Sequence, residues 1–159
     1  MVFELAPELL ALRERARRFT AEELLPRELE VEEHGPLASE TSARIRRRAI
    51  EEGLWPMNVP RELGGLGSSV QEQVVAQEEA GRATNDLWGY VGGPYNALLA
   101  CNAEQRRRYL DPTLRGEVAV GAAYAVTEPG GGSDTSNLKT TAVRKGDRWV
   151  INGEKWFVT

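Results

Sequence analysis

The 159-residue sequence holds a single cysteine, Cys101, and a single histidine, His34. One thiol excludes an intramolecular disulfide and a thiolate zinc cluster. One imidazole makes any Ser-His-Asp triad depend on His34, which stands in a Glu-rich stretch beside Gly35-Pro36 and reads as a solvated loop residue. Basic excess is also missing. Lysine plus arginine is 20 against 24 aspartate plus glutamate, a net charge of −4, the wrong sign for a nucleic-acid backbone binder. The longest nearly apolar run, Val118 to Val126, is far short of a membrane span. Met1-Val2-Phe3-Glu4-Leu5 lacks a basic n-region and a long apolar h-region, so no secretory signal is expected and a reducing cytoplasm is the expected compartment.

What is present is ordinary for a folded domain: 41% hydrophobic and 28% charged residues. At roughly 150 residues per domain, the length allows one domain, or one and a fragment.

The first three-quarters reads as helices. Pro7 suits a first helical turn, and Leu9, Leu10, Leu12, Ala16 and Phe19 fall near helical spacing through Thr20. Arg13, Arg15, Arg17 and Arg18 read as solvated helix charges, Pro26 as an end or bend, and Glu30 to Pro36 as a polar stretch. A second helix is predicted from Ser39 to Glu52, with Gly53 as its left-handed stop; Arg44, Arg46, Arg47 and Arg48 crowd it with charge and read as an exposed face, with a phosphate contact as the alternative. Leu54 to Gly67 carries too many prolines and glycines for regular structure, yet Leu54, Trp55, Met57, Val59 and Leu63 mark it as an ordered loop packed on a core. Its glycine spacing fits no phosphate-binding motif.

Ser69 with Glu72 predicts a capping box for a third helix ending near Gly81. A fourth helix is expected from Asp86 to near Cys101. Gly92 to Pro94 interrupts it as a helix boundary or as the place where another backbone or a ligand comes close. Asn102 with Gln105 predicts a box for a fifth helix toward Leu110, which Asp111-Pro112 breaks or kinks. The pattern then changes. Val118 to Thr127 reads as a strand, Glu128 to Asp134 as irregular, Lys139 to Lys145 and Arg148 to Asn152 as strands joined at Gly146-Asp147. Asn152-Gly153 predicts a hairpin turn into a further strand from Lys155 to Thr159. A sheet stopping inside a hairpin leaves an open edge, so the sequence is expected to be the front of a longer protein, divided near Gly116 to Val118.

Two segments carry chemistry. Tyr124-Ala125-Val126-Thr127-Glu128-Pro129-Gly130-Gly131-Gly132-Ser133-Asp134 sets a strand end beside glycines that expose backbone N–H groups, a possible nest for an anion or carbonyl oxygens, with Thr127 and Ser133 adding hydroxyls. Trp149 to Thr159 offers two tryptophans and a phenylalanine, either a half-buried ribbon or an aromatic wall against a planar ring.

Together these segments resemble the acyl-CoA dehydrogenase family of flavoproteins. The first looks like its motif [AY]-x-[VLM]-T-E-P-x-A-G-S-D, and Asn152-Gly153-Glu154-Lys155-Trp156-Phe157-Val158-Thr159 looks like I-N-G-x-K-x-[WF]-[IV]-[TS]. Val59 to Gly67 is similar to the family's P-x-E-x-G-G loop, and Glu104 to Leu110 with Arg115-Gly116-Glu117 to its E-E-Q-K-x-x-Y-L…x-G-E segment. Four motifs occur in family order. Gly131 departs from the usual alanine, and Phe157 from the commonest tryptophan.

The resemblance implies a mainly α N-terminal helical domain, residues 1–117, followed by the first strands of a β-barrel domain, residues 118–159, with a C-terminal bundle beyond. It implies FAD, with Tyr124, Val126 and Thr127 lining the isoalloxazine and Gly132 and Ser133 donating near the cofactor and the CoA thioester arm. Phe157, Val158 and Thr159 would pack on the other side. Gly89, Gly92 and Gly93 would wall the acyl cavity. The implied reaction is α,β-dehydrogenation of an acyl-CoA, with electrons passed to an electron-transfer flavoprotein, by a homo-oligomer or with a complementing C-terminal portion. The family's catalytic base comes from the C-terminal part, so this chain alone is expected to be inactive, with no catalytic residue and no metal. A related flavin oxidase or monooxygenase, and a non-catalytic partner-binding module, are the alternatives.

Overall fold

The computed structural model describes residues 4–117 and 124–158. The chain divides into two compact units, residues 1–120 and 121–159.

In unit 1, helix α1 (Pro7–Phe19) begins with proline in its first turn and buries Leu9, Leu12, Ala16 and Phe19. These residues pack against α4 (Val70–Ala80), which contributes Val75, Ala76 and Ala80. Ala16, Ala76 and Ala80 are fully buried, and small side chains let the two backbones approach closely. Arg17 is exposed, as its sequence context suggests, but it is also paired. Its guanidinium donates to both oxygens of the buried Glu79, at 2.7 and 3.1 Å, and that bond holds the Glu79 carboxyl below its ordinary pKa.

Pro26 does not end the helical path. A π-helical turn (Thr20–Leu24) and a 3-10 turn (Leu25–Arg27) carry it into α2 (Glu28–His34), so the polar stretch from Glu30 is helical to His34. The Leu25 N–H reaches back five residues to the Thr20 carbonyl. The wide turn accommodates the proline, whose ring otherwise clashes with the carbonyl four residues back. The same device recurs downstream. Helix α5 (Ala103–Gln105) passes through a π-helical turn (Arg106–Leu110) into α6 (Asp111–Leu114), with Asp111 N–H bonded to the Arg106 carbonyl just before Pro112.

Helix α3 (Ser39–Glu51) stops before Gly53, whose φ is 66°. The following loop is ordered and packed, with Leu54, Trp55, Met57 and Val59 buried. Both capping boxes form. Ser69 Oγ accepts from Glu72 N at 3.2 Å and Asn102 Oδ1 from Gln105 N at 2.9 Å, each glutamate or glutamine bonding back.

The fourth predicted helix does not exist as one. Leu87–Tyr90 and Asn96–Ala100 are separate 3-10 turns. Between them Gly92 sits at φ 109°, donates to the Leu54 carbonyl at 2.9 Å, and accepts from Met57 N–H. A second backbone does come close here. That pairing and Pro94, which has no N–H, preclude a continuous helix.

In unit 2, β1 (Thr141–Lys145) pairs antiparallel with β2 (Arg148–Asn152), from Thr141↔Asn152 to Lys145↔Arg148. Gly146, at φ 64°, takes the first position of the two-residue connection. The predicted strand from Val118 lies outside the described residues as far as 123, and 124–127 form no strand. The predicted hairpin at Asn152-Gly153 is absent. A two-residue hairpin of that composition needs positive φ at both positions, and of the two only Gly153 has it, at 156°. Gly153 lies so close to Thr140 that a Cβ would collide with it, and residues 154–158 make no strand.

Candidate functional site

Glu128 organises unit 2. Its carboxylate is buried and accepts from Lys139 N, from Thr140 N at 3.0 Å and from Lys155 Nζ at 2.8 Å. Lys155 Nζ also donates to the Val126 carbonyl at 3.1 Å. Glu128 and Gly131 exchange both backbone bonds, closing the Pro129-Gly130 turn. The Lys155 ammonium, then the Thr140 and Lys139 donors, lower the Glu128 pKa to about 2. Its folded pKa lies below the unfolded value, so the stabilisation is fully present above about pH 4.5 and is lost as pH falls toward about 2. Acid titration followed by amide NMR is expected to weaken the Lys139 and Thr140 signals across that window; signals unchanged down to its lower end would contradict the assignment.

This knot joins the two segments singled out above. Trp156 N–H donates to the Thr127 carbonyl at 2.9 Å, setting Trp156, Phe157 and Val158 beside Val126 and Thr127. Trp156 and Phe157 meet edge to face at 6.0 Å between centroids, with Phe157 at φ 52°. Tyr124 and Phe157 are 77% and 86% exposed, so both rings are available to a ligand. Val126, Thr127 and Gly132 are half-buried, and Thr127 Cγ2 lies 3.9 Å from where a Cβ on Gly132 would stand. Ser133 is exposed at the turn's exit, where Asp134 accepts from Ser136 N at 3.0 Å and fixes the following turn. Thr159 lies outside the described residues.

Gly89 and Gly93 belong to unit 1, where they line a cleft of about 390 Å³ with Arg46, Trp55, Trp88 and Tyr95 among its other walls. Gly93 packs on Asn58 so tightly that a Cβ would collide with the Asn58 carboxamide. Gly92 does not line the cleft; it faces Gln77. Arg46 is not distinguished in the sequence from the other arginines of its run, and it corrects the reading of that run as an exposed face. Its guanidinium lies 4.1 Å from the Trp55 ring centroid and 4.6 Å from that of Tyr90, and donates to the Gly89 carbonyl at 3.0 Å. Burial lowers its pKa. Among the described residues, no group of acidic, histidine or cysteine side chains could hold a metal ion, and no helix is long and apolar enough to cross a membrane.

The chain matches the N-terminal domain of acyl-CoA dehydrogenase over residues 6–117 and the middle domain over residues 123–159. It belongs to the acyl-CoA dehydrogenase family. It is 34% identical to the 3-(aryl)acrylate reductase of Clostridium sporogenes, across 93% of this chain and 39% of that protein. It is 35% identical to the caffeyl-CoA reductase-Etf complex subunit CarC of Acetobacterium woodii, again across 93% and 39%. An acyl-CoA dehydrogenase from Bacillus anthracis, solved in complex with FAD, superposes with a TM-score of 0.67 at 30% identity, covering 98% of this chain and 27% of that one. The chain thus spans about two-fifths of the length of these two reductases.

Proposed function

We propose that this chain is the front portion of an FAD-dependent acyl-CoA dehydrogenase, with residues 1–117 its helical domain and 118–159 the start of its barrel domain. The observation that carries the reading is the Trp156–Thr127 backbone bond, which sets the two family motifs side by side with their aromatic rings exposed. Those residues fit a flavin: rings to cover its faces, the Thr127 hydroxyl for its polar edge, and backbone and hydroxyl donors at Gly132 and Ser133. FAD, when bound, supplies the hydride acceptor. Tyr124, Val126 and Thr127 would hold one side of it, and Phe157 and Val158, with Thr159, would cover the other against water. Ser133 orients the thioester arm. Gly89 and Gly93 leave room for the acyl group, and Gly92 pins that wall to the loop behind it.

Glu128 is not the base. Three donors hold its carboxylate, and a general base works best with a pKa near the working pH. No residue of this chain is assigned as catalytic, and the chain alone is expected not to reduce flavin with an acyl-CoA. An electron-transfer flavoprotein is the proposed electron partner, supported by the relative named for its Etf complex. The same contacts serve hydride transfer in either direction, in keeping with relatives named as reductases. A homo-oligomer, or assembly with a complementing C-terminal portion, in the cytoplasm completes the proposal.

Titration of the 159-residue chain with FAD, followed by flavin fluorescence, tests it. Saturable binding is expected, weakened about tenfold or more when Thr127 and Ser133 are both changed to alanine, the loss of two hydrogen bonds at about 1 kcal/mol each. Binding unchanged in the double variant would remove those residues from the site. No saturable binding would remove the preformed half-site.

A further inference from the structure

The arginines of α3 differ in their partners. Arg44 pairs with Glu23 at 2.7 Å and Arg48 with Glu52 at 2.8 Å. Arg46 pairs with no carboxylate among the described residues, although it is the one that burial penalises. Its orientation is fixed from both sides. The Trp55 and Tyr90 rings hold the guanidinium plane, and Nη1 is taken by the Gly89 carbonyl. Trp55 is itself held by its indole N–H, which donates to the Thr113 carbonyl at 3.2 Å, and Tyr90 by its hydroxyl, which donates to Ser42 Oγ at 2.7 Å. The Nε–Nη2 edge makes no hydrogen bond among the described residues. That edge carries two parallel N–H groups, the geometry that a carboxylate accepts in bidentate fashion.

Elsewhere the cleft is mixed, with aromatic rings and Pro94 standing beside Asn58, Asn96 and Thr113. Trp88 and Tyr95 line it and are 50% and 54% exposed. A volume of about 390 Å³ suits a small organic molecule rather than a lone ion. A fixed cation with a free fork, at the wall of an aromatic-lined cleft, has the chemistry of an acid-binding pocket.

We propose that the Arg46 cleft recognises a carboxylate on an aryl stem, the acid meeting the Nε–Nη2 edge of Arg46 and the ring lying against Trp88 and Tyr95. The site uses unit 1 alone. It rests on the Arg46 geometry rather than on the flavin reading; if Gly89 and Gly93 do wall the acyl cavity, the acyl group carries that second acid.

The probes are 3-phenylpropionate and its neutral isostere 3-phenylpropanamide, titrated calorimetrically into the 159-residue chain. Saturable one-to-one binding of the acid is expected, with the amide about tenfold weaker or worse, as fits the loss of one charge-assisted pair. Arg46→Gln should weaken the acid to the level of the amide. Arg47→Gln, an exposed neighbour on the same helix, should leave it unchanged. Equal binding of acid and amide to the unaltered chain overturns the proposal, as does failure of the acid to saturate or an equal loss in Arg47→Gln. The first comparison needs no variant, so misfolding of Arg46→Gln cannot rescue or sink it. The FAD titration reads residues of unit 2, so either result can fail while the other stands.

Discussion

Replacing Glu128 by alanine should abolish the ordered arrangement of residues 124–158 while leaving the signals of unit 1 in place. Glu128 ties together three parts of unit 2: the Pro129-Gly130 turn on its own backbone, the entry to β1 through Lys139 and Thr140, and the segment after β2 through Lys155. An alanine leaves the Lys139 and Thr140 N–H groups without their acceptor and the Lys155 ammonium with the Val126 carbonyl alone, and donors stripped of their partners are costly. A two-stranded ribbon with Val143, Trp149 and Ile151 exposed has little apolar burial to hold it otherwise. Amide NMR reads the outcome. Resonances from 124 to 158 should collapse toward random-coil positions in Glu128→Ala. Glu128→Gln should be intermediate, since its carboxamide oxygen still accepts while its NH₂ faces donors. Dispersion unchanged in Glu128→Ala would mean that the ribbon stands without the knot.

The second large effect is expected at Gly65. A Cβ there would collide with the carbonyl and Cβ of Val59, and the backbone cannot step aside cheaply. The loop is closed by Gly65 N to Pro60 O at 3.0 Å, Leu66 N to Pro56 O at 3.1 Å and Gly67 N to Val59 O at 2.8 Å. Gly65→Ala should destabilise unit 1 by about 3 kcal/mol, the upper end of what overpacking costs. Its neighbour gives the contrast. Gly64 sits at φ 93° but a Cβ there would meet only Leu114 Cδ1, at 3.6 Å, so Gly64→Ala should cost about 1 kcal/mol of backbone strain. Urea unfolding of the two variants decides it. A smaller loss for Gly65→Ala than for Gly64→Ala would mean that the loop yields more easily than its packing implies.

Local signals were readable in the sequence and distant ones were not. Both capping boxes are formed by side chains three residues apart, so their chemistry is complete within a few letters. The β1–β2 hairpin is local as well, with its glycine at the turn. The hairpin expected at Asn152-Gly153 fails because its geometry is settled by Thr140 and by the Trp156–Thr127 bond, both far along the chain. The stretch from Leu87 to Ala100 reads as an interrupted helix, yet pairing of Gly92 with Leu54 and Met57 decides its shape. Arg46 shares its composition with three neighbouring arginines, and only the placement of Trp55 and Tyr90 separates it from them. The family motifs were legible because they are stretches of contiguous chemistry. The knot of Glu128 and Lys155 inside them was not, since it spans 27 positions.

The wide turn at Thr20–Leu24 also resets the phase of the apolar stripe. On an unbroken α-helix, the face that carries Leu9, Leu12, Ala16 and Phe19 would next present Glu23 to the core. The extra residue taken up by the turn delays that face by one position, so the fully buried side chain is Leu24, and Glu23 is released to pair with Arg44 at 2.7 Å. Deleting one residue between Phe19 and Leu24 would therefore convert the wide turn to ordinary α-helix and keep Leu24 in the core, at the position Glu23 would otherwise take. Closing the turn without a deletion would instead rotate everything before it by about 100° relative to everything after it, exchanging a leucine for a charge at the same place in the core.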